Sequence, residues 1–492
     1  MTAPVTSTIT SAIPSTITTA SPVDGSVLAT YPAMGAEQIE AAVAKGASAA
    51  AAWGRVPVPE RAALLGRLAA RLRAETERYA VLVTSEMGKP LAEARAEVEK
   101  SAVTADYYAA QAPTLLARRE VEIHSPAGVS AYVVPEPLGL VLAVMPWNFP
   151  VWQVMRFAIP TLAAGNGVLL KHTPNVTGSA LALADAFVEA GFPAGLVTAL
   201  VVAEPDVPET VGDLIEDPRV AAVTLTGSNR AGEMVGAAAG RASKKSVLEL
   251  GGSDAFVVLS DADVPAAAAA AVRARFTNSG QSCVCAKRFI VEEPVAEEFT
   301  RLFLHGVRAL VVGDPTDPAT TVGPLARADL REVLQRQVDA SVAAGAVLAA
   351  GGRSIDGMGC FYEPTVLLGA RPGMPVFDEE TFGPVAAVAV ATDEAQAVEL
   401  ANATPYGLGL SVWSRSTDRA LALAGQVTSG AVFVNAVVAS DPRVPFGGTK
   451  RSGYGRELAD AGVLEFTNTR TYWVREPGLG TRPRDVSTPS PI

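Results

Sequence analysis

The sequence predicts an α/β protein in which a doubly wound parallel sheet is followed by a second α/β unit, with a long helical region ahead of both. Three observations carry this. From Gly139 onward, short continuous apolar runs rich in branched residues occur at 140–145, 168–170, 197–202, 220–225 and 256–259. Strands buried on both faces read this way. Helical segments near 150–164, 178–190, 208–216 and 230–240 separate them, the alternation that builds a parallel sheet. A second set of runs, at 289–291, 384–391, 408–413 and 431–434, alternates with helical segments near 294–310, 327–344, 393–402 and 417–428.

The remaining segments follow in chain order. Residues 1–20 are rich in Ser, Thr, Ala and Pro and carry no charged side chain, which predicts a disordered tail. They lack the basic start and apolar core of a secretory signal. Residues 21–25 (Ser-Pro-Val-Asp-Gly) form a turn cluster that opens the ordered chain. Leu64, Leu65, Leu68 and Leu72 then repeat at helical spacing with arginines between them. Gly88, Lys89 and Pro90 break that helix, and Pro90 suits the start of the next. Over 117–137, Val121, Ile123, Val129, Tyr132 and Val133 alternate around Pro126 and Gly128, which predicts a hairpin. Residues 465–474 are β-rich and suit pairing with another edge, and 477–492 form a second flexible tail.

Composition bounds the function. With 492 residues, 49% of them apolar and 18% charged, the chain is long enough for two or more globular domains. A net charge of −11 argues against nucleic acid or an anionic membrane as partner. No apolar stretch is long enough to cross a bilayer without charges or Gly and Pro breaks. Three cysteines in so long a chain suit a reducing cytoplasm.

Two of those cysteines lie together, Cys283 and Cys285, in a small polar loop that begins at Asn278. Their spacing is too tight for a zinc knuckle, and the three histidines are scattered, so no metal site is expected. Cys283 reads as a candidate nucleophile or as an ordinary buried thiol. Asn148 ends a predicted strand, where its amide suits either an oxyanion or a helix N-cap. Arg156 follows two helical turns later, as an anion grip or a salt-bridge partner. Lys171 ends the next strand, facing a ligand's ribose and phosphate or simply solvent. Thr226, Gly227 and Ser228 open a helix whose N–H groups suit a pyrophosphate, although the usual Gly-x-Gly-x-x-Gly pattern is absent. Glu249 sits at an apolar strand end, where burial raises a carboxyl pKa toward that of a general base. The alternative is a pair with Lys244 or Lys245.

Five ordered motifs now converge: Pro-Trp-Asn-Phe-Pro (146–150), Leu-Glu-Leu-Gly-Gly (248–252), Gly-Gln-x-Cys (280–283), Glu-x-Phe-Gly-Pro (380–384) and Pro-Phe-Gly-Gly-x-Lys-x-Ser-Gly (445–453). Together they resemble the NAD(P)-dependent aldehyde dehydrogenase superfamily over residues 20–476. The resemblance implies a Rossmann-like cofactor-binding domain (21–116 and 138–248), an α/β catalytic domain (249–442), and a small β oligomerisation arm (117–137 and 463–476). A homodimer or homotetramer is therefore expected. It implies Cys283 as nucleophile, Asn148 and the Cys283 N–H as oxyanion donors, and Glu249 as the base that activates hydrolytic water. Lys171 and Glu380 correspond to residues that hold the cofactor riboses, and Phe382 to one that packs on the nicotinamide. Trp147, Gly227 and Ser228 lie along the cofactor. The presence of Glu249 argues against the CoA-acylating branch.

Residues 146–156, 170–176 and 439–448 are similar to bacterial succinate-semialdehyde dehydrogenases. Arg156 and Ser440 match positions that bind the substrate carboxylate there. Some relatives add an Arg six residues before the nucleophile. Thr277 stands at that position here, with Arg275 nearby as a further candidate. Succinate semialdehyde is the expected substrate, with glutarate semialdehyde or plain aliphatic and aromatic aldehydes as alternatives. Pro174 replaces the Glu that many NAD-specific relatives use against the adenosine ribose, so NADP is expected to serve as well as NAD. Cys285 is either a redox partner that switches Cys283 off or a plain loop residue. A cofactor-binding scaffold without turnover and a thiol esterase are the rival functions.

Overall fold

The computed structural model describes residues 15–123, 129–357 and 359–475. The disordered tail expected over 1–20 is corrected at its end, where Thr16–Ala20 is a strand. β1 (Thr16–Ala20) pairs antiparallel with β2 (Val27–Pro32). Alternation explains the strand: Ile17 and Thr19 point inward and are buried, while Thr16 and Thr18 face out. Absence of charge signalled disorder, but the branched alternation prevails. Residues 1–14, His124–Gly128 (with the expected hairpin turn) and the expected tail 477–492 lie outside the described residues.

The helical region resolves into α1 (Ala36–Trp53), α2 (Val58–Ala74), α3 (Thr76–Met87) and α4 (Leu91–Leu115). Leu65, Leu68 and Leu72 of α2 are fully buried, the stripe that the leucine spacing predicts. Gly88, at φ 79°, ends α3, and Pro90 caps the start of α4. Next come β3 (Arg119–Val121) and β4 (Val129–Pro137), paired antiparallel as the hairpin pattern predicts.

The first doubly wound unit runs β5 (Leu140–Met145), α5 (Trp152–Ala163), β6 (Gly167–His172), α6 (Thr177–Glu189), β7 (Val197–Ala199), α7 (Val207–Glu216), β8 (Val220–Thr226), α8 (Asn229–Arg241) and β9 (Lys245–Glu249). Its parallel strands lie in the order β9-β8-β5-β6-β7. The apolar runs are what such a sheet requires. Leu140, Val141, Leu142 and Ala143 are each at most 1% exposed, and burying each larger aliphatic side chain contributes about 1.5–3 kcal/mol.

The second unit begins with β10 (Asp254–Val258), so the 256–259 run belongs to the second sheet and not the first. It continues through α9 (Val264–Phe276), β11 (Ala286–Glu292), α10 (Glu293–Arg308), α11 (Ala328–Ala343), β12 (Val347–Ala350), β13 (Thr365–Leu368) and the short α12 (Pro375–Asp378). It closes with β14 (Val385–Ala391), α13 (Glu394–Asn402), β15 (Gly409–Trp413), α14 (Thr417–Ala424) and β16 (Ala431–Val434). The order is β12-β13-β14-β11-β10-β15-β16, all parallel except β12.

The chain then returns to the first sheet. β17 (Gly453–Tyr454) adds to its edge beside β9. α15 (Ala459–Glu465) follows, so residues 463–465 of the expected β arm are helical, and β18 (Thr467–Arg475) pairs with β4 along nine residues. Tyr132 and Tyr472 stack across that pair at 4.9 Å, a cross-strand contact of the kind that fixes register.

Candidate active site

The site forms where α4 and α5 of the first unit meet the loop after α9. Cys283 lies on the wall of a cavity of about 340 Å³, whose other lining residues include Lys100, Trp152, Arg156, Thr277 and Ser440. The loop that delivers Cys283 is held in an unusual backbone. Asn278 and Ser279 are both left-handed, at φ 53° and 54°, a conformation that non-glycine residues seldom adopt. Gly280 follows at φ 74°, and a Cβ there would stand 2.2 Å from the Gly383 carbonyl oxygen, so only glycine fits.

Hydrogen bonds from surrounding elements hold this turn. Asn278 N donates to Glu93 Oε2 of α4 at 2.7 Å. Asn278 Nδ2 donates to the Asn148 carbonyl at 2.8 Å, and Ser279 Oγ to Gly323 O at 3.0 Å. Asn148 Nδ2 donates to Gln281 O at 3.1 Å. Since an amide nitrogen carries two donors, one N–H of Asn148 has no partner among the described residues. Lys287, fully buried, donates to Ser282 O at 3.0 Å and Cys283 O at 2.8 Å, and pairs with Glu380 Oε1 at 3.3 Å. One ammonium thus ties the nucleophile loop to a residue expected to hold cofactor. Burial pushes the Cys283 thiol up to about 12, while Arg156 and Lys287 oppose the rise. Cys283 is a neutral thiol at rest.

Glu249 is not among the residues that line the cavity. It is buried, and neither carboxylate oxygen has a hydrogen-bond partner among the described residues. Lys244 and Lys245 do not pair with it: Lys244 donates to Asp217 O and Lys245 bridges to Glu465. Burial, and then the neighbouring Glu457, hold the Glu249 carboxyl well above the usual range, against the pull of Arg156 and Arg456. Arg156 is buried, forms an ion pair with Glu457, and lays its guanidinium over the Phe446 ring at 4.5 Å. The structure therefore gives this arginine a protein carboxylate as partner.

Arg275 is a correction to the sequence reading. It is fully buried, donates to Val385 O at 2.6 Å, to Thr381 O at 3.0 Å and to Gly383 O, and does not line the cavity. Two positions along an α-helix lie on opposite faces, so Arg273, with Ala274 beside it, reaches the cavity while Arg275 does not. Ser440 lines it too, and accepts from Lys100 Nζ at 2.7 Å. Cys285 is buried on the same wall, with Sγ 3.7 Å from Thr277 O, and all three cysteines are free thiols.

The sequence reading missed Glu93, Lys100, Lys287 and Glu457. Glu93, Glu97 and Lys100 fall on one helical face at spacings of four and three, a pattern that alone reads as a solvated stripe. Glu457 lies beyond every strand-end signal.

The opposite side of the site suits a dinucleotide. Lys171, at the carboxyl end of β6, is 4% exposed, and burial lowers its ammonium to about 8. Among the described residues Nζ has no hydrogen-bond partner. Thr173 Oγ1 and Asn175 Nδ2 are buried and likewise unpartnered, which leaves polar groups and a cation for ribose and phosphate oxygens. Pro174 lies between them and starts a short 3-10 turn. Ser228 caps α8 by accepting from Ala231 N at 3.3 Å, and Gly227 N donates to Glu249 O at 2.9 Å. Glu380 Oε1 accepts from Gly252 N at 3.0 Å. Trp147 and Phe382 meet edge to face at 5.6 Å. Among the described residues there is no cluster of three or more metal-ligating side chains, and no helix is long and apolar enough to cross a membrane.

A doubly wound sheet with polar groups at its strand ends, beside a second sheet and a half-buried thiol in a cavity, is the architecture of an oxidoreductase. The chain belongs to the aldehyde dehydrogenase family, whose sequence profile matches residues 9–472. It is 47% identical to the NAD(P)+ succinate semialdehyde dehydrogenase of Escherichia coli K12, over 92% of this chain and 96% of that protein. It is 46% identical to an NADP+ succinate-semialdehyde dehydrogenase of Mycobacterium ulcerans, over 93% of this chain and 99% of that one. A crystal structure of succinic semialdehyde dehydrogenase from Streptococcus pyogenes with NADP+ superposes with a TM-score of 0.89. It shares 36% identity and covers 94% of this chain and 100% of its own.

Proposed function

We propose that the chain oxidises succinate semialdehyde to succinate, with NADP+ or NAD+ as hydride acceptor. The observation that carries this is the cavity itself: the Cys283 thiol on a wall that also presents Lys100, Arg156 and Arg273 against Glu93 and Glu97, a setting with one more cation than carboxylates for an aldehyde with a carboxylate tail. Names of relatives at 45–47% identity agree with it.

Cys283 Sγ forms a bond to the aldehyde carbon while its thiol proton passes to solvent water, the one proton the overall oxidation releases. The carbonyl oxygen takes the charge. It is held by the free Asn148 Nδ2–H and the Cys283 N–H, donors already fixed by the Asn278 network. Lys171, Ser228 and Glu380 would hold the dinucleotide, with Phe382 and Trp147 against its nicotinamide. The chemistry it would supply there is hydride acceptance. The thioester left on Cys283 is hydrolysed by a water whose proton Glu249 takes. A carboxylate with a raised pKa and no protein hydrogen bond is suited to that role. The acid departs and the thiol is restored.

The domain division stays as read: cofactor binding by 21–116 and 138–248, catalysis by 249–442. Exposed apolar side chains on β18, with Trp473 at 62%, support an arm that seats a second copy in a homodimer or homotetramer. Free thiols support a cytoplasmic location. The test is initial rates with succinate semialdehyde, glutarate semialdehyde, butanal and benzaldehyde, each with NAD+ and NADP+. A preference of about tenfold or more in kcat/KM for the acid-bearing aldehydes, about 1.4 kcal/mol, supports the assignment. Equal rates with butanal refute it.

A further inference from the structure

Lys287 carries a buried charge that none of the steps above uses. It lies on β11, a strand buried along its whole length, and its own side chain is fully buried. Lysine is almost never placed so unless it is paired. An ammonium has three donors, and three oxygens face this one: Ser282 O at 3.0 Å, Cys283 O at 2.8 Å and Glu380 Oε1 at 3.3 Å. Two successive carbonyls of the nucleophile loop are therefore gripped by one nitrogen. A peptide unit is planar, and none in the described chain is cis. Holding the Ser282 carbonyl thus fixes the direction of the Cys283 N–H, which lies in the same plane and points the other way. That N–H has no hydrogen-bond partner among the described residues. The Asn278 side chain holds the loop only as far as Gln281 O. On its other side the Cys283 carbonyl is closed in by Gly252, where a Cβ would stand 2.7 Å from it. Gly252 N donates in turn to Glu380 Oε1, so the ring of contacts closes on the carboxylate that faces Lys287.

We propose that Lys287 is the positioning residue of the nucleophile: it sets the peptide plane that presents the Cys283 N–H to the oxyanion, and Glu380 restrains its charge. This rests on Cys283 as nucleophile and holds for any aldehyde. A hydrogen bond from an ammonium is about twice as strong as a neutral one, and two of them span Cys283, so its backbone cannot turn without breaking one. The ammonium also acts on the sulfur through its field. Lys287 and Arg156 of α5 favour the Cys283 thiolate, whereas Glu380 and Glu249 of β9 oppose it. Lys100 of α4 feels the same sulfur, and Glu93 and Arg273 share its cavity wall. Asp254 of β10 is a second carboxylate within the field of Lys287. Removing the cation or its Glu380 partner should therefore move the thiol in opposite directions, while only the cation holds the carbonyls.

The test needs no dinucleotide. Wild type, Lys287→Met and Glu380→Gln are treated with iodoacetamide at about pH 8, and alkylation of Cys283 is followed by peptide mass. The same proteins are acylated with p-nitrophenyl acetate, in which Sγ bonds to the acyl carbon and nitrophenolate leaves. Alkylation at a CH₂ group develops no oxyanion and reads the thiolate alone, whereas acylation reads the thiolate and the oxyanion donors together. In Lys287→Met alkylation should slow, because a nearby cation is lost. The ratio of acylation to alkylation should fall as well, by about tenfold or more, toward the 10²–10³ that one oxyanion donor contributes. In Glu380→Gln alkylation should quicken. A merely structural role for Lys287 predicts neither the opposite signs nor the change in ratio. A ratio in Lys287→Met within about twofold of wild type overturns the proposal. So does an alkylation rate that is unmoved, or that moves the same way in both variants. If Lys287→Met does not fold, Glu380→Gln decides, since it leaves the buried lysine in place: unmoved or slower alkylation there overturns the proposal. Wild type that still oxidises aldehydes after full alkylation of Cys283 overturns the nucleophile reading instead, a result that needs neither variant.

Discussion

Replacing Arg156 by Met should impair the oxidation of every aldehyde alike. Arg156, Glu249 and Glu457 are each at most 3% exposed, and the guanidinium is the cation that both carboxylates feel. Removing one member of a buried ion pair costs about 3–5 kcal/mol, because the other is left uncompensated. Without the guanidinium, two carboxylates would face each other in an apolar pocket, and both pKa values, already raised, would climb further. Glu249 would then hold its proton more firmly and be less available to take one from water. General-base catalysis contributes about 10²–10⁴-fold, so kcat should fall about a hundredfold with butanal and succinate semialdehyde together. Hydrolysis of the thioester would limit turnover, and a burst of reduced nicotinamide should precede the slow steady state. The melting temperature should drop, and adding Glu457→Met should recover most of it, since removing a whole buried pair is often neutral. Steady-state and stopped-flow kinetics with a thermal melt provide the assay. If butanal turnover stays within about twofold of wild type while KM for succinate semialdehyde rises, Arg156 serves the substrate and the Glu457 pairing is not its function.

Three further outcomes follow from particular contacts. Arg275→Met should lower the melting temperature by several degrees, because three carbonyl oxygens lose a buried donor, yet leave the aldehyde preference unchanged. A change in preference would return Arg275 to the substrate. KM for the dinucleotide should rise as pH passes about 8, since burial sets the Lys171 ammonium there and the cation is lost above it. Lys171→Ala should abolish that dependence, and a wild-type KM flat from pH 7 to 9 would count against ligand contact. Peroxide inactivation should be reversed by dithiothreitol in the wild type but not in Cys285→Ala, if a Cys283–Cys285 disulfide protects the thiol from further oxidation. Equal recovery in both makes Cys285 a plain loop residue.

What the sequence determined by itself is what depends on local pattern. Runs such as 140–145 and 385–391 are apolar at every position, which only a doubly covered parallel strand tolerates. Strand ends therefore named Asn148, Lys171, Ser228 and Glu249, and the motif spacing named Cys283. The 16–20 strand shows the limit of composition: uncharged Thr-rich chain reads as a tail until a partner strand is there to bury Ile17. Tertiary structure decided which charges meet. Arg275 and Arg273 are two residues apart, and only packing against β14 sent one to backbone carbonyls and the other to the cavity. Glu457 is 301 positions from Arg156 in sequence, and the return of the chain to the first sheet through β17 brings them into contact. Lys100 reads as one more charge on a helix until α4 packs against α5 and Ser440 comes within hydrogen-bond reach. Periodicity is a property of neighbours along the chain and survives in a sequence. The worth of a buried charge depends on its desolvation and its partner, and both are set by segments far apart in the chain.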